Sequence, residues 1–148
     1  MKPSKFFTEQ QKKQITDAIK DAELNTSGEI RLHVEKKCKI NVLDRAAYIF
    51  SKLKMHKTEK RNGVLFYLAV NDRKFAILGD AGINAVTTGD FWDEIRDVVQ
   101  EHFKENRFAD GLAKGIRMAG EALKEHFPYQ SDDVNELSNE ISFGKEEK

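Results

Sequence analysis

Glu29, Asp80, Asp90 and Asp93 stand at the margins of predicted elements. Brought together with backbone carbonyls and the Asn62 side chain, they would make a set of hard oxygen ligands suited to Ca²⁺ or Mg²⁺. Lys60 and Arg61 lie beside one of those margins with charge that could hold an anion, so a metal-assisted phosphatase could be assembled from Asp80, Asp90, Lys60 and Arg61. Each residue also has an ordinary structural use. Glu29 can pair with Arg61, Asp80 can cap the turn before Gly82, and Asp90 can cap a helix. The loop Asp80-Ala81-Gly82-Ile83-Asn84 lacks the acidic residues and closing Glu of an EF-hand. No aspartyl-phosphatase motif, Cys-x5-Arg motif or two-metal His/Asp pattern occurs, and His33, His56, His102 and His126 are too dispersed for a zinc spacing. Cys38 lies among lysines, with no base placed beside it by the sequence.

The elements that must position these residues follow from spacing. Thr8-Glu9-Gln10-Gln11 has capping-box form, and Ile15, Ala18, Ile19 and Ala22 recur at helical intervals, predicting a helix from about Thr8 to Glu23. Asn25 to Gly28 turns, and Ile30, Leu32 and Val34 alternate with Arg31, His33 and Glu35, which predicts a strand with one buried face outside the sheet's centre. Leu43, Ala46, Ala47, Phe50 and Leu53 stripe a second helix, from about Val42 to Lys54. Val64 to Val70 and Phe75 to Leu78, joined by Asn71-Asp72-Arg73-Lys74, read as a central hairpin, with Asp72 satisfying backbone groups within its own tight turn. The first strand should run parallel to the second through a right-handed helical crossover. Asp80 to Val86 predicts a short helical turn. Asp90 is expected to cap a helix buried through Trp92, Ile95, Val99 and Phe103, and a last helix carries Leu112, Ile116, Ala119 and Leu123 before Pro128 stops it. Phe91, Trp92 and Phe108 are assigned to the core.

This topology brings Glu29, Arg61, Asn62 and Asp80 to one end of the sheet, with Asp90 and Asp93 able to fold back toward it. An ion is therefore expected at that end rather than near Asp72. A chain of 148 residues with 39% apolar residues and ten Phe supports one folded domain, residues 1–128, and the polar, acidic stretch 129–148 reads as a loosely ordered tail. Lys and Arg together equal Asp and Glu at 25 each, which argues against a nucleic-acid protein. Locally, Lys36, Lys37, Lys39, Arg45, Lys52, Lys54, Lys57, Lys60 and Arg61 face only Asp44 and Glu59. That basic flank is either a solvated surface or the seat of a phosphate, an acidic partner or the chain's own tail. No apolar run reaches the roughly 20 residues of a membrane span and no secretory leader is visible, so a cytoplasmic monomer is the expectation.

Four stretches in order, Ser27-Gly28-Glu29-Ile30, Arg61-Asn62-Gly63-Val64-Leu65, Gly79-Asp80-Ala81-Gly82-Ile83 and Phe108-Ala109-Asp110-Gly111-Leu112, resemble the TPM domain family, also called the photosystem II repair and phosphatase-like family. The resemblance implies a three-layer α/β/α sandwich on a small mixed sheet made of a parallel pair and an antiparallel hairpin. Similar domains are linked to thylakoid photosystem repair, to receptor modulation and to a suggested acid phosphatase activity. The expected function is a Ca²⁺- or Mg²⁺-binding module that meets a protein partner, with metal-assisted hydrolysis of phosphomonoesters as the alternative.

Overall fold

A computed structural model of the chain describes residues 2–130 and 135–144. A 3-10 turn at Pro3–Lys5 leads to α1 (Glu9–Glu23), followed by β1 (Glu29–Glu35), α2 (Val42–Lys52), β2 (Gly63–Ala69) and β3 (Lys74–Gly79). Then come α3 (Ala81–Asn84), α4 (Asp93–Lys104), α5 (Phe108–Lys124) and β4 (Ser142–Phe143). The capping box forms as its spacing requires: the Thr8 hydroxyl accepts from Gln11 N at 3.1 Å while the Gln11 amide oxygen accepts from Thr8 N at 2.9 Å. Asn41 opens α2 by accepting from the amides of Leu43 and Asp44.

The strands form one mixed sheet in the order β3-β2-β1-β4. β1 and β2 run parallel with Glu29 opposite Gly63, and β2 and β3 run antiparallel with Val64 opposite Gly79. Side chains alternate across the sheet, so Ile30, Leu32, Val34, Val64, Phe66 and Leu68 meet α1, α4 and α5 on one face. Leu65, Tyr67, Ala69 and Ala76 meet α2 on the other through Ala46, Ile49 and Phe50. The result is the expected α/β/α sandwich, with Phe91, Trp92 and Phe108 half-buried against the larger core.

Three expectations need correction. β1 is an inner strand whose polar face is also covered: Glu29, His33 and Glu35 are all buried. Its cover comes partly from residues 135–144, in a region read from sequence as loosely ordered, where β4 pairs in parallel with His33 and Val34. Residues 131–134 and 145–148 of that stretch lie outside the described residues. A two-residue strand carries too little alternation to be visible in a polar sequence. Asp90 does not cap α4. Trp92 occupies the N-cap without a side-chain bond, and the Asp90 carboxylate instead accepts from the Thr88 hydroxyl in the preceding turn.

Candidate functional site

The end of the sheet marked by Glu29 and Asp80 is built by backbone closure. Glu29 N donates to Asn62 O at 3.2 Å, Asp80 N to Gly63 O at 3.0 Å, and Gly82 N to Arg61 O at 2.8 Å. Three of the four stretches that carry the family resemblance therefore interlock at one place. Arg61 sits there at φ 51, and its guanidinium holds both oxygens of Asp80 at 2.8 Å. Asp80, itself buried, also caps α3 by accepting from Ala81 N at 2.7 Å. The capping role foreseen for Asp80 thus holds, whereas the partner of Arg61 is Asp80 and not Glu29.

Glu29 has a different setting. One carboxylate oxygen accepts from Leu137 N at 2.5 Å; the other is buried and has no hydrogen-bond partner among the described residues. Burial, together with repulsion from the Glu136 carboxylate, pushes Glu29 up to about 7 against the opposing Leu137 amide. Glu23, which the sequence reading did not single out, is also pushed up to about 7, by burial and by the charge of Glu29, against the amide of Ile30. Glu23 and Glu29 line a cavity of about 200 Å³ with Thr26, Ser27, Tyr129 and Asn135. Two carboxylates, three hydroxyls and an amide are oxygen donors of the right kind, but the Thr26 hydroxyl is already engaged with Phe127 O and Gly28 N, so an ion held there would keep some of its waters. Asp90 and Asp93 are exposed and engaged with Thr88 and Arg96, outside that cavity. Among the described residues no group of three or more His, Cys, Asp or Glu side chains is gathered in metal-holding fashion. Lys60 is exposed beside the committed Arg61.

A second buried polar group, also missed in the sequence, lies toward the other end of β1. Arg45 clamps Glu35 with bonds of 2.8 and 2.9 Å, Tyr67 donates its hydroxyl proton to the same carboxylate, and His33 Nε2 lies 3.4 Å from it. Burial works against the charge of Glu35, but the bonds from Arg45, His33 and Tyr67 outweigh it and hold the carboxyl at about 2. The only sequence signal was the alternation of titratable residues at positions 29, 31, 33 and 35, which is the pattern of a solvated face. Tyr67→Phe should cost about 1–2 kcal/mol and raise the pH at which acid unfolding begins, because Glu35 loses one of its donors. An unchanged acid transition in far-ultraviolet circular dichroism would assign the charge of Glu35 to Arg45 and His33. Asp72, expected to serve its own turn, instead accepts from Cys38 N at 2.7 Å and ties the hairpin to the loop after β1.

A model of the TPM domain matches residues 1–122. The NMR structure of the BA42 protein from the psychrophilic bacterium Bizionia argentinensis superposes with a TM-score of 0.90 at 52% identity, over 95% of this chain and 97% of that one. The N-terminal domain of a protein from P. gingivalis gives 0.68 at 15% identity, over 84% and 80% of the two chains. An N-terminal domain from Corynebacterium glutamicum gives 0.63 at 12%, over 95% and 81%, and these last two likenesses concern the fold alone. No curated protein matches the sequence. With its interlocked motifs, its mixed sheet and a family match over most of its length, this chain belongs to the TPM domain family.

Proposed function

We propose that the domain is a divalent-cation-binding, protein-interaction module whose cation sits at the Glu23–Glu29 cavity. The observation that carries this reading is the buried oxygen of Glu29 that has no partner among the described residues, beside a second carboxylate whose charge it opposes. Two such groups accept either protons or a cation: burial raises both, with the charge of Glu29 adding at Glu23 and that of Glu136 at Glu29, and near pH 7 a cation would offset that cost. Of the four carboxylates nominated from sequence, Glu29 is favoured. Asp80 has both oxygens engaged by Arg61, and Asp90 and Asp93 are solvent-facing. The interaction role draws on the basic flank, where Arg45 and Arg61 serve Glu35 and Asp80 while Lys37, Lys39, Lys52 and Lys54 stand exposed beside Ile40, Leu43 and Tyr48. A face that mixes cations with exposed aliphatic and aromatic groups suits an acidic protein surface.

Isothermal titration of the full chain with Ca²⁺ and with Mg²⁺ tests the cation reading. Glu29→Gln and Glu23→Gln should each weaken binding at least about tenfold, the loss of one ligand charge, while Asp80→Asn should change it less than about twofold. Chemical-shift changes centred on residues 70–74, or affinity indifferent to Glu29→Gln, would remove the site. Phosphatase activity, the alternative carried by the resemblance, requires a group to hold phosphoryl oxygens, and Arg61 is occupied. Metal-dependent turnover of a generic phosphomonoester that is lost in Glu29→Gln would restore that alternative.

A further inference from the structure

β1 has seven residues, yet its outer edge is paired with only two, Ser142 and Phe143. The rest of that edge carries no strand among the described residues, and Ile30 N there donates to the Glu23 carboxylate at 3.2 Å. What the edge accepts can be read residue by residue from the segment now lying on it. Ser142 Oγ lies 2.9 Å from His33 Nδ1, and the His33 ring is buried, with Nε2 directed at Glu35. A hydroxyl both donates and accepts, so it satisfies that nitrogen in either tautomer, and a larger side chain would have to displace a buried ring. On the opposite face, Ile141 and Phe143 pack on the main core, with the Lys12 ammonium 5.4 Å from the centroid of the Phe143 ring. Beside them a cavity of about 410 Å³ between α1 and the segment stays open. Gly144 N donates to Val34 O at 2.8 Å, and a Cβ at position 144 would lie 2.5 Å from Glu35 Cβ. Glu35 cannot retreat, being held by Arg45 and Tyr67. The fourth position therefore admits glycine alone.

We propose that the outer edge of β1 is a strand-docking groove that recognises an extended, parallel segment of the form aliphatic–Ser/Thr–aromatic–Gly. Residues 141–144 are its resident occupant in cis, and a partner protein carrying such a segment is its occupant in trans. Main-chain bonds to the edge supply affinity, and the alternating pockets supply sequence preference. Residues 141–144 are fastened at one end of β1 only, by the Gly144–Val34 bond, the Ser142–His33 contact and the packing of Ile141 and Phe143, so they can leave without unfolding the rest. The open cavity beside Phe143 gives an incoming segment room for contacts that the resident does not make.

The test uses the full chain with its resident segment weakened. Gly144→Val should expel residues 142–144 from the edge through the clash with Glu35, and Phe143→Ala should loosen them by a separate route. A free peptide of residues 135–144 should then bind either variant at least ten times more tightly than the unchanged chain, with amide shifts centred on Leu32 to Glu35. The same peptide carrying Gly144→Val should bind neither. Equal affinity for all three proteins, shifts away from β1, or a Gly144→Val chain whose segment stays paired with Val34 would overturn the groove. Concentration-dependent dimers of the unchanged chain that the peptide cannot dissolve would overturn the trans partner and give the edge to a second copy.

Discussion

Replacing Gly82 by alanine is expected to destabilise the domain by about 3 kcal/mol or more, at the upper end of overpacking costs. A Cβ there would lie 2.1 Å from Lys60 O and 2.6 Å from Arg61 O, which are backbone atoms that cannot swing aside like a flexible side chain. Retreat is blocked on each side. Arg61 already holds a left-handed conformation, its carbonyl accepts from Gly82 N, and Asn62 N is tied to the Thr58 hydroxyl at 3.2 Å. Asp80 adds a further restraint through Arg61 and the cap of α3. With a denaturant slope of about 2 kcal/mol per molar for a domain of this size, the urea midpoint should fall by about 1.5 M. A fall of only a few tenths of a molar would show that the 60–62 loop yields, and that the glycine is kept for something other than space.

The second large effect is a stability maximum in mildly acidic solution. Glu29 and Glu23 have folded-state values near 7 against 4.5 in the unfolded chain, so between pH 4.5 and 7 the folded state holds more protons and stability falls as pH rises. For Glu29, 3% exposed, the loss across that window is at most about 3.5 kcal/mol, from roughly 2.5 pH units at 1.36 kcal/mol each. Glu35 acts in the opposite sense. Its folded value near 2 lies below the unfolded 4.5, so its contribution is present above pH 4.5 and lost as pH falls toward 2. The two windows meet between about pH 4.5 and 5, where thermal or urea unfolding should be most difficult. Glu29→Gln should flatten the neutral limb and leave the acid limb unchanged. Millimolar Ca²⁺ or Mg²⁺ should restore stability at pH 7 and do little at pH 5, where protons compete for the same oxygens. A neutral limb that is flat in the unchanged protein would remove the buried-carboxylate pair as its cause, and a cation effect equal at both pH values would place the ion elsewhere.

Both effects draw on residues that stand out in the sequence, but for reasons the sequence does not contain. Gly82 and Arg61 belong to two of the stretches that resemble the family. Their types suggested a turn and an anion site, and their juxtaposition explains them instead as two halves of one backbone closure. Gly111 has a comparable reason, since a Cβ there would lie 2.7 Å from His102 Cβ where α5 meets α4. The residues by which the chain resembles its relatives are thus, in large part, the residues that let its elements approach.

What the sequence by itself determined was everything that depends on neighbours a few residues apart. The capping box of α1, the helical stripes of α2, α4 and α5, the hairpin of β2 and β3, and the parallel crossover to β1 all rest on local periodicity and turn chemistry. From these alone it follows that Glu29, Arg61, Asn62 and Asp80 share one end of the sheet. Only the tertiary structure decided how those charges are spent, because a charge chooses among partners distant in the chain by fractions of an ångström and by access to water. Arg61 went to Asp80, Arg45 to Glu35, and Glu29 was left with a main-chain amide 108 residues away and one oxygen that has no partner among the described residues. The same is true of β1, whose alternation reads as a strand half in water. Its polar face is buried partly because residues 135–144 return to cover it, and a two-residue strand leaves no periodicity of its own to be read.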